Sequence, residues 1–99
     1  MPTLPAKEAL IVELLAAAGG RGELFGLELV AASKGRLKRG TVYVTLGRME
    51  GKGFVTSRLE DAPPDAGGLP RRVYTVTALG RRVHEAWSHV ARLLPEFAR

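Results

Sequence analysis

The 99-residue chain contains no cysteine. This removes disulfide staples, thiolate nucleophiles and thiolate metal ligands together, and it suits a reducing interior, so the cytoplasm is the expected compartment. Long apolar runs are missing as well. The N-terminal stretch MPTLPAKEALIVELLAAAGG is broken by Lys7, Glu8 and Glu13 and has no basic segment ahead of it, so it reads neither as a signal peptide nor as a membrane span, which needs roughly 18 apolar residues. No internal repeat is present. Catalytic constellations are absent too: there is no nucleophile elbow, no Walker-type phosphate loop, and no acid and base paired on one element. His84 and His89 lie five residues apart, roughly 140° round a helix, so they do not chelate one metal as an i, i+4 pair would. Neither an enzyme nor a cofactor is expected, and the pieces Ala18-Gly19-Gly20 and Ala66-Gly67-Gly68 are read as turns.

What the chain does carry is positive charge. Fifteen Lys and Arg against ten Asp and Glu give a net charge of +5 and a pI near 10.2, which favours a polyanionic partner or an anionic surface. A single domain of this length buries about 60% of its unfolded surface, a small core that a second subunit would reinforce.

The stretch Gly40 to Gly53, GTVYVTLGRMEGKG, reads as a helix with two distinct faces. At 100° per residue, Leu46 and Met49 fall within about 40° of Val42 and form a narrow apolar stripe toward the core. Thr41, Val44, Thr45 and Arg48, spaced i, i+3, i+4, i+7, are assigned to a second face roughly opposite. A cation, two hydroxyls and a branched methyl pair are the chemistry that reads phosphates and base edges in a DNA groove; a merely solvated helix face is the alternative. Just before it, Lys34, Arg36, Lys38 and Arg39 place four cations at the helix N-terminus, where phosphates are favoured. Tyr43 lies between the two faces, its ring inward and its hydroxyl within reach of a phosphate, and Gly47 and Gly51 fall on the exposed side.

Phe54 to Glu60 and Arg71 to Val76 read as strands, rich in β-branched and aromatic residues. Between them, Asp61 to Pro70 holds three prolines and two glycines and can only be a turn. Helix, strand, long turn and strand make a winged helix. The motifs Gly40-Thr41-Val42-Tyr43, Leu46 with Arg48-Met49-Glu50, Lys52-Gly53-Phe54-Val55, and Arg71-Arg72-Val73-Tyr74 with Thr75, Thr77 and Gly80 follow one family pattern. In these the sequence resembles the PadR family of bacterial transcriptional regulators, over about residues 10–80. Cations at the wing base, Arg58, Arg71 and Arg72, are expected to meet phosphate or the minor groove.

Two further helices precede the motif and one follows it. The first is placed at about Ala6 to Ala18, its apolar residues Leu10, Ile11, Val12, Leu14 and Leu15 covering more than one face, so that it either packs on a second chain or lies deep in its own domain. Leu24 to Ser33 reads as the second, with Leu24, Leu27 and Val30 or Ala31 inward. Thr77 is a good N-cap for a last helix from about Ala78 to Leu94. Leu79, Val83, Trp87 or Ala86, Val90 and Leu94 run along one seam of it, and Leu93 and Phe97 extend that surface beyond what one small domain covers.

The expected architecture is therefore α+β and mostly α: a winged helix-turn-helix over residues 1–76 and a C-terminal dimerisation helix over 77–99. The expected partner is double-stranded DNA, bound by a homodimer on a pseudo-palindrome through Lys38, Arg39, Thr41, Tyr43, Val44, Thr45, Arg48, Arg58, Arg71 and Arg72. Leu10, Ile11, Leu14, Val83, Trp87, Val90, Leu94 and Phe97 are the expected dimer contacts. The resemblance further implies a ligand-responsive repressor whose inducer is a small aromatic or hydrophobic molecule; the sequence itself shows no inducer site, and Trp87, near the seam, is the candidate to stack on such a ligand, with a core or interface anchor as its alternative role. The competing reading is a winged-helix interaction module whose basic face meets an acidic protein. No membrane partner is expected.

Overall fold

The computed structural model describes residues 4–19, 22–61, 67, 70–94 and 96. Helix α1 (Ala6–Ala17) is followed by strand β1 (Leu24–Phe25), helices α2 (Gly26–Ala32) and α3 (Arg39–Gly51), strands β2 (Val55–Glu60) and β3 (Arg71–Val76), and helix α4 (Ala78–Leu93). The three strands form one antiparallel sheet in the order β1-β3-β2. This is the mostly helical winged-helix arrangement that the motif order implies.

One core joins all the helices to one face of the sheet. Ile11 and Leu15 from α1, Leu29 from α2, Val42, Leu46 and Met49 from α3, and Val55, Tyr74 and Val76 from the sheet are buried in it. Leu37, in the turn between α2 and α3, is a further plug, only 2% exposed. A side chain sets that turn: the Ser33 hydroxyl accepts from the Leu37 N–H at 2.9 Å and donates to the Val30 carbonyl at 2.7 Å, while Lys34 and Gly35 take positive φ.

Helix α3 ends in a Schellman motif. Gly53 has φ +80°, its N–H donates to the Glu50 carbonyl, and the Phe54 N–H donates back to Met49 at 2.9 Å. Gly53 is therefore the residue that turns the chain, and Phe54, read from sequence as strand, instead packs beneath the helix end. Thr77 clasps the same corner. Its hydroxyl donates to the Gly53 carbonyl at 2.6 Å and accepts from the Gly80 N–H at 3.0 Å, so it is both the N-cap of α4 and the tie to α3.

The segment Leu24–Phe25 corrects the sequence reading, which ran it into the second helix. Its backbone pairs with Tyr74 and Val73 of β3, and α2 begins only at Gly26, where the Glu28 carboxylate accepts from the Phe25 N–H at 2.9 Å. Within α2, Leu29 is the buried residue and Leu27, expected inward, is left 39% exposed.

Helix α1 settles the two possibilities for its apolar surface. Leu10 and Ile11 are 7% and 0% exposed within their own chain; they are core residues and have no surface to offer a partner, contrary to their placement at a dimer interface. Leu14 is half-buried and packs against the core, as Val83 and Trp87 of α4 also do. Glu8, in the first turn of α1, is also buried, and both of its oxygens accept from Lys52 Nζ at 3.0 Å. That pair ties α1 to the end of α3.

Helix α4 packs on the domain as far as Trp87, with Gly80 buried and Val83 and Trp87 against the core, and exposes Leu93 at its end. Leu79, Leu93 and Leu94 are 43%, 65% and 44% exposed. The longest molecular axis, 49 Å, is about twice the other two. Phe97, expected at the dimer seam, and the wing residues 62–66 lie outside the described residues.

Candidate nucleic-acid interface

The solvent face of α3 is made of Gly40, Thr41, Val44, Gly47, Arg48 and Gly51, all exposed. Val44 is 56% exposed, and a Cβ added at Gly40, Gly47 or Gly51 would meet nothing within 4 Å. Lys34, Arg36, Lys38 and Arg39 stand exposed around the helix N-terminus. Among the described residues, none of Lys38, Arg39 and Arg48 joins an ion pair. The acidic residue of the helix's second half, Glu50, is turned toward the sheet, where it accepts from the Ser57 hydroxyl.

Thr45 does not belong to that face. It is 8% exposed and its hydroxyl donates to the Thr41 carbonyl at 3.0 Å. Three residues beyond Val42, it stands only roughly 60° from the core stripe, and its hydroxyl is spent on the helix backbone. Tyr43 has an intermediate position, 48% exposed with its ring laid across Gly26. A Cβ at Gly26 would overlap that ring, so glycine at the start of α2 is what lets the tyrosine lie flat beside the groove-facing surface.

The pleat of the sheet sorts the wing cations. Adjacent strand residues point to opposite faces, and the register pairs Arg58 with Val73, Leu59 with Arg72 and Glu60 with Arg71. Arg58 and Arg71 therefore share the face away from α3, and carboxylates occupy both. Arg58 donates to Glu23 through Nε and Nη2 at 2.8 Å each and to Glu60 at 3.0 Å. The hydrogen bond that Arg58 donates to Glu23, with the charges of Glu23 and Glu60 behind it, raises the Arg58 pKa against the opposing effect of desolvation. Arg71 reaches Glu60 at 3.4 Å and lies over the Phe25 ring, 4.5 Å from its centroid.

Arg72 is different. It shares the α3 side of the sheet with Leu59, Ser57 and Tyr74, is exposed, and among the described residues donates to the Ser57 hydroxyl alone, at 3.0 Å. Of the three wing cations named from sequence, it alone stands beside the recognition surface without a carboxylate partner among the described residues. The sequence reading missed Glu23, Ser57 and Glu50 as members of this site. The opposite facing of Arg71 and Arg72 follows from strand alternation, whereas the partners depend on a register that no local pattern specifies.

No helix among the described residues is long and apolar enough to cross a membrane. Nor do the described residues include a cluster of three or more His, Asp or Glu side chains able to hold a metal.

A model of the transcriptional regulator PadR-like family matches residues 14–86. Among solved structures, a PadR family transcription regulator from hypervirulent Clostridium difficile R20291 is similar at TM-score 0.70 and 27% identity, over 90% of each chain. A PadR family transcriptional regulator from Eggerthella lenta DSM 2243 gives TM-score 0.73 and 24% identity, over 91% of this chain and 75% of that one. Bacillus subtilis PadR, solved in complex with operator DNA, gives TM-score 0.71 and 23% identity, over 86% of this chain and 48% of that one. Comparison with curated protein sequences gave no match. The family model spans most of the chain and the winged helix is shared with regulators of known structure; this chain belongs to the PadR-like family, whose members are DNA-binding transcription regulators and not enzymes.

Proposed function

We propose that the protein is a sequence-specific repressor that works in the cytoplasm as a homodimer, inserting α3 of each subunit into the major groove at half-sites about one helical turn apart. One observation carries this reading: the solvent face of α3 has a cation, a hydroxyl, a branched methyl pair and three glycines, and no carboxylate. Arg48 is placed for a base edge or the groove wall, Thr41 and Val44 for phosphate and a thymine methyl, and the cations around Lys38 and Arg39 for the flanking backbone. Arg72 supplies the wing's phosphate contact. Arg58 and Arg71 would have to leave Glu23 and Glu60 first, so we assign them to the wing's own structure.

Dimerisation through α4 is supported by the apolar residues Leu79, Leu93 and Leu94, which the single chain leaves exposed, next to half-buried Val83, Trp87 and Val90. The inducer class implied by the family resemblance is a small aromatic or hydrophobic molecule. Trp87 is the chain's single tryptophan, so quenching of its fluorescence reports such a ligand directly.

The test is a salt titration of binding to a duplex enriched from a random pool and to a scrambled duplex of the same composition. Binding that weakens linearly in log salt, with the enriched duplex held more tightly, supports DNA recognition. Failure to bind either duplex at low salt would favour an acidic protein as the partner.

A further inference from the structure

A side-chain relay connects the recognition helix to the wing. Arg72 Nη1 donates to the Ser57 hydroxyl at 3.0 Å, and that hydroxyl donates onward to Glu50 Oε2 at 2.6 Å. Its direction is fixed by chemistry. A guanidinium can only donate, a carboxylate can only accept, and a serine hydroxyl does one of each. The short bond to Glu50 is charge-assisted, and it polarises the oxygen that Arg72 uses. Glu50 belongs to α3, Ser57 to β2 and Arg72 to β3, so the relay sets the guanidinium against the helix and not against the wing tip. The cross-strand partner of Ser57 is Tyr74, which is buried and whose phenol feels the charges of both Glu50 and Arg72.

We infer that Ser57 is a positioning residue for DNA recognition: oriented by Glu50, it holds Arg72 so that the remaining guanidinium N–H groups meet a backbone phosphate beside the groove that α3 enters. This rests on the DNA reading above. Arginine presents its donors as a planar fork, and one anchored corner fixes the plane of the others. Arg58 and Arg71 cannot serve in the same way, because carboxylates on the far face already hold them.

The experiment is a double-mutant cycle on affinity for the enriched and scrambled duplexes, with thermal melting of each variant alongside. Ser57→Ala should weaken both duplexes alike, by about five-fold, because the contact is to phosphate, and Ser57→Thr, which keeps the hydroxyl, should restore binding. On an Arg72→Ala background, Ser57→Ala should have no further effect. A general folding defect would persist on that background, so an equal loss there would overturn the assignment. Unchanged affinity of Ser57→Ala, or of Arg72→Ala, in a protein that binds DNA would overturn it as well while leaving the DNA reading intact. A wild-type protein that binds neither duplex would overturn both.

Discussion

Lys52 and Glu8 show how much one contact contributes to the fold. The Glu8 side chain is 4% exposed and both its oxygens accept from an ammonium that is itself 43% exposed. Removing the cation strands a buried carboxylate, though water can enter where Lys52 stood. Lys52→Ala should therefore cost about 1–3 kcal/mol, below the range for fully buried pairs. Urea midpoints measure this, and the double variant Glu8→Gln with Lys52→Met should recover part of the loss; an unchanged midpoint for Lys52→Ala would show the pair to be inert. Tyr74 gives a prediction in pH. Burial, and after it the charge of Glu50, pushes its phenol above the ordinary value of 10.0. The folded state thus favours the neutral ring. This stabilisation is full below the unfolded pKa and is lost as pH rises through the folded one, so stability should fall at alkaline pH. In a Tyr43→Phe variant Tyr74 is the remaining tyrosine of two, and its absorbance titration should lie above that of the urea-unfolded chain. Coincident titrations would contradict the burial argument.

At the scale of elements, α3 combines poor helix formers with a clear job. Gly47 faces open space, so the fold does not require it, and glycine in a helix interior costs about 1 kcal/mol relative to alanine. Gly47→Ala should accordingly raise stability by about 0.5–1 kcal/mol while weakening the enriched duplex several-fold, because the added methyl stands on the groove-facing surface. A stability gain with unchanged affinity would remove Gly47 from the interface. Elements with local punctuation were legible in the sequence. Thr77 caps α4 and the breakers of residues 61–70 separate β2 from β3, whereas the expected helix ran on to Gly53, which instead turns the chain two residues past the end of α3. Strand β1 was not legible, since two residues become a strand only by pairing with Tyr74 and Val73. Thr45 was misplaced by treating an i, i+3, i+4, i+7 set as one face when its third member borders the core stripe. Arg58, Arg71 and Arg72 were read as one basic patch because composition counts charges, whereas the pleat and the carboxylates of Glu23 and Glu60 decide where those charges act.

On the scale of the whole molecule, the domain uses Leu10 and Ile11 for its own core and leaves Leu79, Leu93 and Leu94 on and beside α4 exposed. An exposed Leu79, Leu93 and Leu94 along a helix that also carries Val83, Trp87 and Val90 calls for a second copy. Sedimentation should give a dimer at micromolar concentration, and Leu93→Glu, which is 65% exposed in the single chain, should dissociate it without unfolding the domain. A wild-type monomer at tens of micromolar would remove the basis for a palindromic site. The account as a whole stands on α3 reading DNA sequence, and the direct measurement is the affinity of wild type and Arg48→Ala for the enriched and scrambled duplexes at matched salt. Arg48 paired with a guanine predicts a loss of about 1–3 kcal/mol on the enriched duplex and little on the scrambled one. Equal losses on both would reduce Arg48 to a backbone contact, and no loss on either duplex would contradict the placement of α3 in the groove.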